Sequence, residues 1–247
     1  MKKNGIFFCL AILMAGCSSK IYQAESLAYK GYRIEGTAKK DPKLLQLLQP
    51  YRDSVNKSMN DIIGTVTNSL ERAQPEGTLG NFTSDAMRAI AINKYKRPVD
   101  IAFVNHEGIR LTQLAAGPVT IGKVFELMPF DNLLILQELK GSVLQTLLDH
   151  ISEMGGWPVS GATWRIHNKK AVDVVVNGKP LELNATYTVA NSDYIANGGD
   201  DCSMLKPIPQ INNGYLMRDA LIVYIQELTA AGKTIGGTME GRVKADN

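Results

Sequence analysis

Apolar residues recur at intervals of three and four in five stretches of the chain, a spacing that places them on one face of a helix. The first stretch has apolar positions from Leu44 to Met59. Pro129 is expected to end the third helix, and Ser142 to cap the start of the fourth. The predicted helices cover residues 41–59, 79–91, 119–130, 143–154 and 215–232.

Runs of β-branched and other apolar residues between these helices predict strands. Asn177-Gly178 is the dipeptide typical of a two-residue hairpin turn. The helices and strands are interspersed without regular βαβ spacing, so we expect an α+β fold, a single domain with a mixed β-sheet packed by helices. The predicted strands cover residues 62–67, 99–105, 132–139, 160–167, 172–183 and 186–196, and the stretch 197–201 is expected to be a loop.

The first residues of the chain have the pattern of an export signal. A positively charged start precedes an apolar run that is too short to span a bilayer. The run ends in Leu-Met-Ala-Gly-Cys, which resembles a bacterial lipobox, so we expect lipidation at Cys17 after removal of residues 1–16. Ser18 follows, where an Asp would favour the inner membrane, and this predicts anchoring to the outer membrane of a Gram-negative bacterium, periplasmic or surface-exposed. The alternative is an ordinary signal peptide with a chance cysteine.

We therefore expect three regions along the chain: the signal peptide 1–16, the acylated Cys17 with a flexible tether to residue 40, and a folded domain over 41–247. Cys9 leaves with the signal and Cys17 is acylated, so Cys202 is the free thiol that remains. The folded domain is thus expected to rely on its apolar core, without an internal disulfide.

Composition restricts the chemistry that the chain can perform. A dispersed net charge of +3 gives no indication of nucleic-acid binding. The stretch VNHEGIR, Val104–Arg110, contains the Asn-His-Glu of metal-dependent phosphatases, but the chain has three histidines and no Asp-x-His or His-x-His pair. A two-metal site takes ligands from several loops. We therefore expect no metal, no cofactor and no catalytic residue in this chain, and no enzyme acting alone.

Five segments, in order, resemble the C-terminal substrate-binding domain of the 5′-nucleotidase family. They are EGTLGNFTSDAMRAIA (76–91), NHEGIR (105–110), GPVTIGKVFELMPFDNLLILQELKGSVLQTLL (117–148), SGATWRI (160–166) and YTVANSDYIANGGDD (187–201). In that family an N-terminal metallophosphatase domain holds two metals and cleaves the phosphoester, while this module holds the nucleoside. The resemblance implies a role in nucleotide catabolism, with two divalent metals only in a separate metallophosphatase chain.

The resemblance also implies a set of ligand contacts. Asn105 and Arg110 would contact ribose and phosphate, and Phe130 would stack on the base. Arg72 is a possible further phosphate contact. Each residue also has a purely structural alternative, such as a core position for Phe130 or an ion pair with Glu107 for Arg110. The substrate-binding residues implied are Asn105, Arg110, Phe130, Gly198, Gly199 and Asp200.

Three residues depart from the family pattern. Glu107 and Asp201 each stand where the family has a glycine, and these added carboxylates favour a neutral ligand over a phosphorylated one. Cys202 stands where a second aromatic wall is expected, and Trp157 or Tyr194 is a possible substitute. Losing one aromatic wall removes about 1–3 kcal/mol of stacking.

Three functions remain open at this point. The chain is the nucleoside-binding half of a split nucleotidase, a stand-alone binding lipoprotein for nucleosides or related ligands, or a structural lipoprotein with a degenerate nucleotide site. Retention of the module without metal ligands favours the first, and the three departures favour the last.

Overall fold

The computed structural model describes residues 39–246, without the side chains of 54–57. The chain divides after Leu47 into two compact units. The predicted signal peptide 1–16, Cys17 and nearly all of the tether lie outside the described residues. Within residues 39–246, no helix combines the length and the apolarity that a membrane span requires.

All five predicted helices are present, with shifted ends. The third is shorter than predicted, because residues 117–120 form a strand before it. The predicted strand over 186–196 ends at Ser192, and a one-turn helix that the sequence pattern did not indicate replaces its last four residues. The helices are α1 (Pro42–Met59), α2 (Thr78–Tyr95), α3 (Ile121–Leu127), α4 (Gly141–Glu153), α5 (Asp193–Ala196) and α6 (Met217–Ala230).

The predicted cap at Ser142 is wrong. Helix α4 begins at Gly141, so Ser142 lies in its first turn, and Lys140 at the cap position makes no side-chain cap. Backbone carbonyls of residues 183–185 accept hydrogen bonds from the first turn of the helix instead. The N–H of Gly141 donates to Ala185 O at 2.9 Å, and the N–H of Ser142 donates to Leu183 O at 2.9 Å. Backbone carbonyls from a distant segment satisfy the donors that a side chain was expected to satisfy.

Thirteen strands are assigned within the described residues, and they form four sheets rather than one. The largest sheet has five strands in the order β12-β6-β11-β3-β7, and a second has the order β10-β9-β8-β13. The strands are β1 (Ile62–Val66), β2 (Leu70–Glu71), β3 (Ile101–Phe103), β4 (Gln113–Leu114), β5 (Gly117–Thr120), β6 (Leu134–Lys140), β7 (Val159–Ser160), β8 (Ala162–His167), β9 (Lys170–Val176), β10 (Lys179–Pro180), β11 (Thr186–Ser192), β12 (Gln210–Ile211) and β13 (Val243–Ala245).

The five-stranded sheet is mixed and is packed on both faces, which confirms the α+β class. Strand β11 pairs parallel with β3 and antiparallel with β6. Ala102 of β3 belongs to a core cluster with apolar residues of α2 and α6, whereas Ile101 and Phe103 belong to a second cluster with α4 and strands β8 and β9. Side chains of consecutive strand residues point to opposite faces, so a short apolar strand serves both cores.

The predicted hairpin turn at Asn177-Gly178 is confirmed. Both residues have positive φ, 48° and 78°, and they connect β9 to β10. Positive φ at both central positions is the geometry that a type I′ turn needs, and Asn-Gly adopts it at low cost.

A buried carboxylate fastens the C-terminal segment to α2. Glu76, 7% exposed, accepts hydrogen bonds from Asn81 Nδ2 at 2.6 Å and from the backbone N–H groups of Glu240 and Arg242, both at 2.9 Å. The Arg242 guanidinium in turn donates to both carboxylate oxygens of Asp85 at 2.8 Å. These bonds place β13 beside β8, although the two strands are far apart in sequence.

Replacing Glu76 by Ala is expected to lower the free energy of unfolding by about 3 kcal/mol, because three donors lose their acceptor in a buried environment. Urea denaturation followed by circular dichroism measures this change. Glu153→Ala is the matched control, since Glu153 is 62% exposed and pairs with Lys169 only at 3.8 Å; we expect a change below about 0.5 kcal/mol. Equal losses for the two variants would contradict a structural role for Glu76.

Candidate functional site

Three chain segments meet at one edge of the five-stranded sheet. Strands β3 and β11 are parallel, so the residues that follow them, 104–110 and 193–201, leave the sheet at the same edge. Strand β6 is antiparallel to β11, with Leu134 opposite Ser192, so residues 130–133 enter the sheet at this edge too. Carboxyl ends of neighbouring parallel strands are a common location for ligand sites in mixed sheets.

These segments enclose a cavity of about 250 Å³. Four of the predicted substrate-binding residues line it, and Gly198, Gly199 and Arg72 do not. The lining residues are Asn105, Glu107, Gly108, Arg110, Phe130, Asn132, Tyr194 and Asp200. Four lining residues are additional to the predicted set, although Tyr194 was named as a possible substitute for the second aromatic wall. All four lie within the segments that resemble the family, and this could have selected them: Glu107, Gly108, Asn132 and Tyr194.

Asp200 connects two of the three segments. Its carboxylate accepts a hydrogen bond from Asn105 Nδ2 at 2.7 Å and another from the Tyr194 hydroxyl at 2.8 Å. Its carbonyl oxygen lies 2.7 Å from His150 Nε2 on α4. The residue has φ 48°, a left-handed conformation that Asp tolerates better than most residues. The side chain of Asp200 is thus held in place before any ligand arrives.

The hydrogen bond to Asp200 is the main reason that the pKa of the Tyr194 phenol is raised above its usual value. The phenol therefore stays protonated and remains the donor to the Asp200 carboxylate at neutral pH. A fixed phenol orientation also fixes the plane of the ring beside the cavity.

Two aromatic rings at the cavity are half exposed, Phe130 at 46% and Tyr194 at 45%. The structural alternative of a core position for Phe130 therefore does not hold. Tyr194 lies against the backbone of Gly199, where an added Cβ would be 2.5 Å from the ring. Of the two proposed substitutes for the second aromatic wall, Trp157 is only 1% exposed and belongs to the core, so only Tyr194 is available to a ligand.

Cys202 is fully buried and its pKa is raised to about 12, chiefly by desolvation and also by the nearby Asp200 and Asp201 carboxylates. The thiol stays protonated at neutral pH and contacts the core rather than the cavity. Gly198 has φ 88°, and a Cβ there would collide with the Lys206 side chain at 2.2 Å. The role of Gly198 in this geometry is to allow the turn before Asp200.

The two arginines near the site have different surroundings. The Arg110 guanidinium lies 5.8 Å from the centre of the Phe130 ring, and its polar contact is a long one of 3.5 Å to the Glu107 carbonyl. Arg72 donates to the Ile109 carbonyl at 2.7 Å and pairs with the Glu107 carboxylate at 3.5 Å. Arg72 therefore stabilises the 105–110 loop without lining the cavity, whereas Arg110 lines the cavity.

Within the described residues, His106 belongs to no cluster of side chains that could hold a metal ion. Its Nδ1 is buried without a hydrogen-bond partner. Its pKa is lowered by desolvation and by the charge of Arg72, against a smaller opposing effect of Glu107. The imidazole is neutral at physiological pH. Across residues 39–246, His, Cys, Asp and Glu side chains form no group of three or more that could hold a metal ion.

The sequence model of the 5′-nucleotidase C-terminal domain matches residues 62–207, which is more than half of the chain. Protein UshA of Yersinia enterocolitica is 25% identical over 218 residues, covering 86% of this chain and 37% of that protein. The 5′-nucleotidase of Vibrio vulnificus is 28% identical over 205 residues, covering 78% and 36%.

Solved structures give the same result. The 5′-nucleotidase precursor of Thermus thermophilus superposes with a TM-score of 0.72 at 29% identity, over 82% of this chain and 43% of that one. The chain thus spans less than half the length of the relatives it matches. Together with the mixed sheet and the three loops at its edge, these matches show that the chain belongs to the 5′-nucleotidase C-terminal domain family.

Proposed function

We propose that this chain is the nucleoside-binding half of a 5′-nucleotidase-type system in nucleotide catabolism and acts with a separate metallophosphatase chain. The observation that carries the proposal is the pair of half-exposed rings, Phe130 and Tyr194, at one cavity with polar groups beside them. Aromatic walls bind the π-face of any base, and convergent amide and carboxylate groups fix the orientation of a sugar.

The size of the cavity agrees with a ligand of this class. The cavity volume of about 250 Å³ is at the small end for small-molecule sites, as expected for a ligand no larger than a nucleoside, and the cavity is partly open to solvent. Asn105 and Asp200 present hydrogen-bonding groups suited to ribose hydroxyls, and Asn132 adds an amide next to Phe130. The two divalent metals that cleave the phosphoester would be held by the partner chain, because the described residues offer no ligand cluster for them.

Removing either ring is expected to weaken adenosine binding about tenfold, since a stacked base contributes about 1–3 kcal/mol per aromatic contact. Phe130→Ala and Tyr194→Ala test this by isothermal calorimetry, a method that does not depend on Trp157 and Trp164, which are buried in the core. Tyr51→Ala, an exposed tyrosine on α1, is the control. Unchanged affinity in both cavity variants would place the ligand elsewhere.

Mixing the purified chain with a two-metal phosphatase domain that co-purifies with it is expected to produce hydrolysis of 5′-nucleotides that neither component shows alone. The rate is followed as phosphate release from AMP. Phe130→Ala in the mixture should raise KM, because it removes substrate binding without touching the metals. A mixture as inactive as its components would reject the two-chain system.

The alternative is a stand-alone ligand-binding or structural lipoprotein with a degenerate nucleotide site. The observation in its favour is Glu107, a carboxylate at the cavity that leaves less positive charge for a phosphate. Adenosine binding without any stimulated hydrolysis would support the binding lipoprotein. Absence of adenosine and AMP binding at millimolar concentrations would support the structural one.

We also propose that the chain is lipid-anchored at Cys17 to the outer membrane, on the basis of the lipobox-like sequence before it. Metabolic labelling with a palmitate analogue is expected to mark the wild type and to leave Cys17→Ser unlabelled. The variant should also leave the membrane fraction, because several acyl chains are needed for stable anchoring. Labelling that persists in Cys17→Ser would contradict this site, and Cys202→Ser is the matched control.

A further inference from the structure

The residues that line the cavity carry more negative than positive charge, and this affects which ligands can bind. Three ionisable side chains other than Tyr194 line it: Arg110 is cationic, and Glu107 and Asp200 are anionic. The Asp200 carboxylate accepts hydrogen bonds from Asn105 and Tyr194. Both donors are neutral, so they do not compensate its negative charge. The formal charge of the lining is therefore −1.

Arg72 does not restore a positive charge to the cavity. Its guanidinium is 17% exposed, donates to the Ile109 carbonyl and lies 3.5 Å from the Glu107 carboxylate. Its charge is thus matched by the same carboxylate that lines the cavity. Glu107 itself is 67% exposed, so its carboxylate is largely accessible to solvent.

His106 does not supply a positive charge for an anionic ligand either. Its Nε2 lies 3.9 Å from Glu107 Oε1, but the ring is neutral at physiological pH because desolvation lowers its pKa. Arg110 is therefore the one cation among the residues that line the cavity. Its guanidinium faces the Phe130 ring, and the Glu107 carbonyl is within 3.5 Å.

We infer that Glu107 is a specificity-determining residue that makes this chain select an uncharged nucleoside over the corresponding 5′-phosphate. The inference rests on the proposed function. A phosphate at the open side would lie within a Debye length of the Glu107 carboxylate, where like charges repel.

In the proposed two-chain system, this selectivity for the uncharged nucleoside would have a functional consequence. Metals of the proposed partner chain would hold the phosphoryl group, and this chain would contribute affinity for the base and the sugar. Because Glu107 disfavours the free 5′-phosphate, nucleotide binds well only where the partner's metals neutralise the phosphate. The chain alone then does not sequester nucleotide away from the catalytic half.

Calorimetric titration of adenosine and AMP into the full chain, without a partner, tests the inference. The wild type is expected to bind adenosine more tightly than AMP. Glu107→Gln keeps the size of the side chain and should tighten AMP about three- to tenfold, with adenosine unchanged within about twofold. Arg110→Gln should change the AMP affinity in the opposite direction. Glu126→Gln, an exposed carboxylate on α3 that pairs with Lys123, is the control.

Salt dependence provides a second readout that a merely structural effect would not alter. Raising the salt concentration should reduce the preference of the wild type for adenosine, and the preference of Glu107→Gln should change less. AMP binding as tight as adenosine in the wild type, or an AMP-to-adenosine ratio that Glu107→Gln leaves unchanged, overturns the inference. Loss of adenosine binding itself would instead reject the proposed function.

Discussion

The parallel pairing of β3 with β11 is the constraint on which the site depends. Val189 lies opposite Ile101 and Ala190 opposite Ala102, and this short ladder joins segments nearly ninety residues apart. Parallel strands send their carboxyl ends to the same edge, so both ligand loops emerge together. The antiparallel pairing of β11 with β6 then places the turn with Phe130 beside them. Apolar core clusters pack on both faces of the sheet and support this edge.

Asp200 connects two of these loops by hydrogen bonds and thereby fixes the shape of the cavity. A left-handed backbone turns its side chain toward Asn105 and Tyr194, and both hydrogen bonds to its carboxylate are short. Gly199 contributes because its missing Cβ lets the Tyr194 ring lie on the backbone. Preorganisation of this kind reduces the entropy that a ligand must lose on binding. The same carboxylate adds to the negative charge that Glu107 contributes to the cavity.

Sequence similarity implied that both Arg72 and Arg110 contact phosphate, but only Arg110 is among the described residues that line the cavity. Arg72 is committed to the 105–110 loop and to Glu107, whereas Arg110 is directed to the cavity.

Local sequence determined the helices, most strands and the Asn177-Gly178 turn, because periodicity and backbone preference act over a few residues. Ordered motifs also determined the family and four of the residues that line the cavity. Tertiary structure alone decided the rest. The backbone of residues 183–185 satisfies the start of α4 in place of Ser142, and burial excluded Cys202 and Trp157 from the cavity in favour of Tyr194. Such outcomes depend on contacts between distant segments, and spacing along one chain does not contain them.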